Sequence, residues 1–173
     1  MRQLIKSILL ILVVLTPVAA PAQDLVSDMD FLGIKGLRIT ASPLNVYSID
    51  CNIESTYLMR ELQRQFEAEG LASVAAEDTL AVISVLSARE AGGGTCNSSI
   101  MLGAYKKASF FDDDAGWLRT GYVVIWQSAL LISSPAETHL ALSRDALARL
   151  GEAMLKEWRT AGATASASTQ PSK

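Results

Sequence analysis

The side chains able to do chemistry in this chain are few. Its 173 residues include one histidine, His139, and two cysteines, Cys51 and Cys96. A nucleophilic thiol needs a base, most often a histidine, and surroundings that favour thiolate. His139 stands far along the chain in a helical segment, and no Cys-x-x-Cys redox pair exists. A structural zinc site takes about four ligands, more than two cysteines and one histidine supply. The chemistry left to the pair is a disulfide, which an even cysteine count in an exported chain also favours. Cys51 and Cys96 lie 45 residues apart. Closing a loop of that size restricts the unfolded chain by about 4 kcal/mol on the chain-entropy formula.

The other candidates are weaker. His139 could join Asp145 or a serine in a hydrolase triad, but no G-x-S-x-G elbow is present. A lone histidine near a helix start reads as a surface or packing residue. Gly92-Gly93-Gly94 resembles a phosphate loop only in its glycines. It lacks the Lys-Ser/Thr that should follow, and a strand pattern comes next, so it reads as a turn. Asp112-Asp113-Asp114 lacks the alternating ligands of a calcium loop and reads as a solvated hairpin tip. Asn97-Ser98-Ser99 is a glycosylation sequon, relevant only in a eukaryotic host. No catalytic residue, metal or cofactor is assigned.

The N-terminus sets the compartment. Arg2 and Lys6 precede the apolar run Ile8–Leu15, and Ala20-Pro21-Ala22 fits a small-x-small cleavage site. The apolar core is far short of the ~20 residues of a spanning helix. Residues 1–22 are therefore expected to be a signal peptide cut after Ala22, leaving a periplasmic protein with no stable membrane insertion. No cysteine near the cut offers a site for a lipid. Of the 15 Lys and Arg, Arg2 and Lys6 leave with the signal while all 18 Asp and Glu stay. An acidic chain whose only adjacent basic pair is Lys106-Lys107 is not expected to bind nucleic acid.

The elements that must position these residues are legible from periodicity. Residues 23–35 read as a leading arm. In GLRITASPL, Leu37, Ile39 and Ala41 alternate with Arg38, Thr40 and Ser42, a half-buried strand ended by Pro43. Asp50-Cys51-Asn52 offers caps to an amphipathic helix with Leu58, Leu62 and Phe66 on one side, closed by Gly70. Leu80–Leu86 is apolar at almost every residue, as in a strand covered on both faces. CNSSIMLGAYKKA reads as a strand, FFDDDAGWLRTG as a connection and YVVIWQSALLI as a further strand. Ser134, Pro135 and Glu137 spell a capped helix start. Leu140, Leu147, Leu150, Met154 and Trp158 supply its stripe, and Gly151 suggests close approach to the sheet. Residues 161–173 read as a disordered tail.

The sum is an α+β two-layer sandwich spanning 36–160. It has a mainly antiparallel sheet of four to five strands with two amphipathic helices on one face. The other face should be polar, yet Tyr122, Val124 and Trp126 alternate onto one side of an apolar strand. Such a face invites a partner, a second copy or a ligand, unless the arm at 24–35 folds over it. The pattern of LMRELQRQFEAEGL, DTLAVISVLS and LGEAMLKEWR resembles small envelope domains of Gram-negative bacteria, the N-terminal domain of TolB and auxiliary proteins of ABC-type export. The resemblance implies a non-enzymatic adaptor that binds an envelope protein. The alternatives are a carrier of a small apolar ligand or an enzyme of unknown type.

Overall fold

The computed structural model describes residues 31–75, 77–90 and 94–168, with side chains up to residue 163. The expected signal peptide and most of the leading arm lie outside the described residues. Five strands form one sheet in the order β2-β1-β3-β4-β5. These are β1 (Gly36–Ala41), β2 (Ala72–Ser73), β3 (Thr79–Arg89), β4 (Thr95–Asp112) and β5 (Trp117–Pro135). β3, β4 and β5 run antiparallel as the expected meander, while β1 is parallel to both its neighbours. The helices are α1 (Val46–Asp50), α2 (Ser55–Ala68) and α3 (Ala136–Ser168). The architecture is the expected α+β sandwich, with the short α1 in addition.

Alternation decides which face the helices take. Ala81, Ile83 and Val85 of β3, and Ile100, Leu102 and Ala104 of β4, are buried. They meet Leu58, Leu62 and Phe66 of α2 and Leu147, Leu150 and Met154 of α3, spaced at helical intervals. The residues between them on β3 face away from the helices. Leu80 and Val82 there are half-buried and Leu86 is exposed, so this strand is covered on one face, not both. Its half-burial comes from neighbours within the sheet, such as Tyr105 directly opposite Leu80.

The helix ends follow local chemistry. Gly70 adopts φ +84, Gly70 N–H donates to Glu67 O and Leu71 N–H donates to Phe66 O. This is the two-bond left-handed closure that glycine permits, with its usual apolar contact in buried Phe66 and Leu71. α2 begins after Glu54, not at the Asp50–Asn52 cluster. The cap offered there is preceded by a different one, Asn45, whose side chain accepts from Ser48 N–H and starts α1. α3 runs to Ser168, past the start of the expected tail. Ala161 is buried in the core, and alanine-rich sequence favours helix. At the same end Phe31 and Ile34 of the arm enter the core, and Trp158 Nε1 donates to Ile34 O at 2.8 Å.

Gly151 marks a close approach, but to α2 rather than the sheet. A β-carbon there would stand 2.4 Å from Gln65 Oε1 and 3.0 Å from Leu62 Cδ1. Gln65 can swing aside, whereas buried Leu62 cannot. Gly151→Val is expected to destabilise the fold by about 1–3 kcal/mol through overpacking, read as a lower urea midpoint with an unchanged slope. Cys51 Sγ and Cys96 Sγ are bonded, with Cα atoms 5.9 Å apart. The double change Cys51→Ala, Cys96→Ala should cost about 4 kcal/mol in the same assay; an unchanged midpoint would remove the disulfide from any account of stability.

Candidate functional site

Two features stand out: a buried polar chain under the sheet and an apolar groove on its open side. The polar chain begins at α1. Asn45 sits beyond the end of β1 and continues along the edge of β3, where its Nδ2 donates to Ser87 O at 2.8 Å. Its Oδ1 accepts from Ser48 N–H and Ser48 Oγ. Ser48 Oγ also lies 2.8 Å from Ser87 Oγ, and Ser87 Oγ lies 2.6 Å from Ser98 Oγ. Ser98 Oγ lies 2.7 Å from His139 Nε2, and Ser134 Oγ lies 2.7 Å from His139 Nδ1. Ser134 Oγ also lies 3.2 Å from Pro135 O.

Asn45 Oδ1 can only accept, so the single hydroxyl proton of Ser48 goes to it, and Ser87 then donates to Ser48 and Ser98 to Ser87. His139 is then neutral, with Nε2–H donating to Ser98 and Nδ1 accepting from Ser134. Every buried hydroxyl is satisfied, as buried polar groups require. The side chain of Ser134 is thereby engaged by the imidazole. The backbone there still belongs to β5, so the expected capping box does not form in that way, and the helix begins at Ala136.

Ser98 and His139 have the spacing of an activated nucleophile and its base. Their surroundings do not admit that use. Ser98 and His139 are both buried, and Ser87 packs on the far side of Ser98. A serine, not a carboxylate, holds Nδ1, so no charge is in place to stabilise an imidazolium. The same end of the core holds the disulfide, since Cys96 precedes Ser98 by two residues on the same face of β4. The arrangement ties α1, β3, β4, β5 and α3 together. His139 was visible in the sequence; its serine partners were not, because no local signal links four serines from four elements.

The groove lies on the opposite side of the sheet. It has a volume of about 570 Å³ and is lined by α1 through Asn45 and Tyr47 and by β3, β4 and β5. Leu86, Ser99 and Leu131 face one another across three strands. Leu86 is 67% exposed and Leu131 84% exposed, so the groove has two leucine rails over a serine floor. Ser87 and Ser98 contribute backbone to that floor while their hydroxyls point to the helices.

β5 does not present one face along its whole length. A bulge opposite Ala104/Tyr105 shifts its register, so Trp126 pairs with Ala104 and Val124 with Tyr105. Tyr122 and Val124 therefore lie on the open face, while Trp126 turns to the helix side and packs against the core. Strict alternation had placed all three together. Past the bulge Ala129 and Leu131 take over the open face.

The Asp112–Asp114 run closes the β4–β5 hairpin. The hairpin extends through what the sequence offered as a connection, because Phe110 and Phe111 pair with Arg119 and Leu118. Asp112 Oδ1 accepts from Ala115 N–H, Asp112 O accepts from Gly116 N–H, and Arg119 lies 2.7 Å from Asp112 Oδ2. Gly116 has φ +71. The first aspartate thus builds the turn. Among the described residues no group of three His, Cys, Asp or Glu converges to hold a metal, and no helix is long and apolar enough to cross a membrane.

Burial holds His139 below its ordinary value near 6.5, because desolvation disfavours the charged ring. The unfolded chain takes up a proton near 6.5 and the folded chain only at lower pH. Stability is therefore full above 6.5 and falls as pH drops below it, until the folded histidine also protonates. In urea titrations across that window His139→Gln should be less stable at neutral pH but should lack this fall. An identical pH slope in the variant would assign the fall to other groups.

No protein-family model matches the chain, and no curated protein matches it. Solved structures give distant likenesses. A dodecameric PelC variant from Paraburkholderia phytofirmans is 12% identical with a TM-score of 0.43, over 68% of this chain and 82% of that one. A DUF330 protein from Xanthomonas campestris is 17% identical with a TM-score of 0.35, over 76% and 85%. A minor lipoprotein from Acinetobacter baumannii is 16% identical with a TM-score of 0.32, over 76% and 96%. The TolB type is not among these three. At TM-scores below 0.5 the likenesses carry no argument about what this chain does.

Proposed function

We propose that the exported chain is a non-enzymatic adaptor of the bacterial envelope, binding a partner protein on the open face of its sheet. The observation that carries this reading is the pair of exposed leucines, Leu86 and Leu131, standing on either side of Ser99. Hydrophobic burial drives most protein association, and contiguous apolar patches on a monomer commonly mark interaction sites. Tyr47 rises beside the rails and Tyr122 and Val124 extend the apolar face toward the hairpin. The leader read from residues 1–22 supports a periplasmic location for that binding.

A second reading has its own support. A groove of about 570 Å³ lies within the ~300–1,000 Å³ of small-molecule sites. A small apolar ligand carried there, rather than between sheet and helices, is compatible with the packing. Fully buried Leu37, Ile83, Ile100, Leu102 and Met154 fill the inner layer.

Photo-crosslinking in the periplasm from Leu86 and Leu131 separates the readings. A protein adduct of defined mass from both positions is expected, and Leu131→Asp should abolish it without unfolding the chain. A folded protein that gives no adduct, but co-purifies with an apolar molecule lost in Leu131→Asp, would replace the adaptor with the carrier.

A further inference from the structure

The far half of the β4–β5 hairpin is a ribbon with no third strand. β3 begins at Thr79 opposite Lys106, so from Ala108 and Gly121 to the tip, β4 and β5 pair only with each other. Two-stranded ribbons are marginal in water and need a third strand or a packed face. Both faces here are apolar and uncovered. Phe111, Leu118 and Tyr122 are exposed on the open-face side, and Phe110, Trp117 and Val123 on the other. The outer edge of β5 along this ribbon carries one charge, Arg119, and no proline, so it lacks the usual protection of an edge strand.

We propose that two copies of the chain associate through this edge, β5 against β5, antiparallel about a two-fold axis on Thr120. This proposal is independent of the partner argued above. A two-fold axis normal to a sheet pairs residues of equal parity, so each pair shares a face. The bulge near Ile125 reverses parity, which confines any such pairing to one half of β5. Centred on Thr120, the pairing sets Leu118 opposite Tyr122 and Trp117 opposite Val123, apolar against apolar on both faces. Arg119 falls opposite Gly121, and Thr120 meets Thr120, a favourable cross-strand pair. Centring on Arg119 would oppose two like charges.

Charge disfavours a lipid surface as the occupant. Asp112, Asp113 and Asp114 stand at the ribbon tip, and Lys106 and Lys107 at its base. Overlap about Thr120 sets each acidic tip level with the other copy's basic pair, with the two β5 strands between them. The same acidic tip opposes an anionic lipid surface. The result is a four-stranded ribbon of modest area, hence a dimer that dissociates on dilution.

Sedimentation velocity on the exported full-length chain should show a monomer–dimer equilibrium. Thr120 is exposed, so substitution there should not disturb the core. Thr120→Lys and Thr120→Glu, each alone, should be monomeric at every concentration, and an equimolar mixture should recover dimer. A mixture of Leu118→Cys and Tyr122→Cys chains should form an intermolecular disulfide across the seam, and neither chain alone should do so. A native chain that stays monomeric, a dimer that survives Thr120→Lys, or a ribbon that instead floats with phosphatidylglycerol vesicles would overturn the proposal. None of these outcomes would alter adducts from Leu86 and Leu131.

Discussion

The structure depends on burying one face of the β3–β4 ladder. Side chains at alternate positions of these two strands provide a continuous apolar surface, and among the described residues α2 and α3 supply most of its cover. Apolar burial at roughly 25 cal/mol per Å² is the main favourable contribution in such a domain. Everything else is arranged around that contact. Gly151 lets α3 approach α2, and the left-handed turn at Gly70 returns the chain to the sheet.

At one end of the core the apolar contact gives way to a polar and covalent one. The Cys51–Cys96 bond joins the α1–α2 connection to β4, and a line of serines leads from Asn45 to His139. An imidazole between two hydroxyls is a neutral strut with directional bonds. Low dielectric strengthens those bonds and raises the cost of any unpaired member. The geometry of Ser98 and His139 would suit catalysis in a cleft. Enclosed as it is, it serves to fix where three strands and two helices meet.

The opposite face follows different rules. With both long helices on one side, the groove of Leu86 and Leu131 and the ribbon of Phe111 and Leu118 remain open to solvent. These two surfaces are separated by the bulge in β5. That bulge turns Trp126 inward and leaves Tyr122 outward, so a single irregularity divides the strand into a part that completes the core and a part that projects.

The sequence by itself determined the layering, because burial on one face imprints a period of two on strands and 3.6 on helices. β1, α2, the β3–β5 meander and the body of α3 were readable for that reason. The disulfide was readable by elimination, since Cys51 and Cys96 had no other chemistry. Only the tertiary structure decided the rest. The facing of Trp126 depends on a bulge that no residue type announces. The role of Ser134 depends on where His139 lies five residues later and on competition between an imidazole and a backbone N–H. The polar chain joins positions up to 42 residues apart at a single step, from Asn45 to Ser87. Local pattern carries no signal for such contacts, because they are set by how the layers stack rather than by any periodicity along the chain.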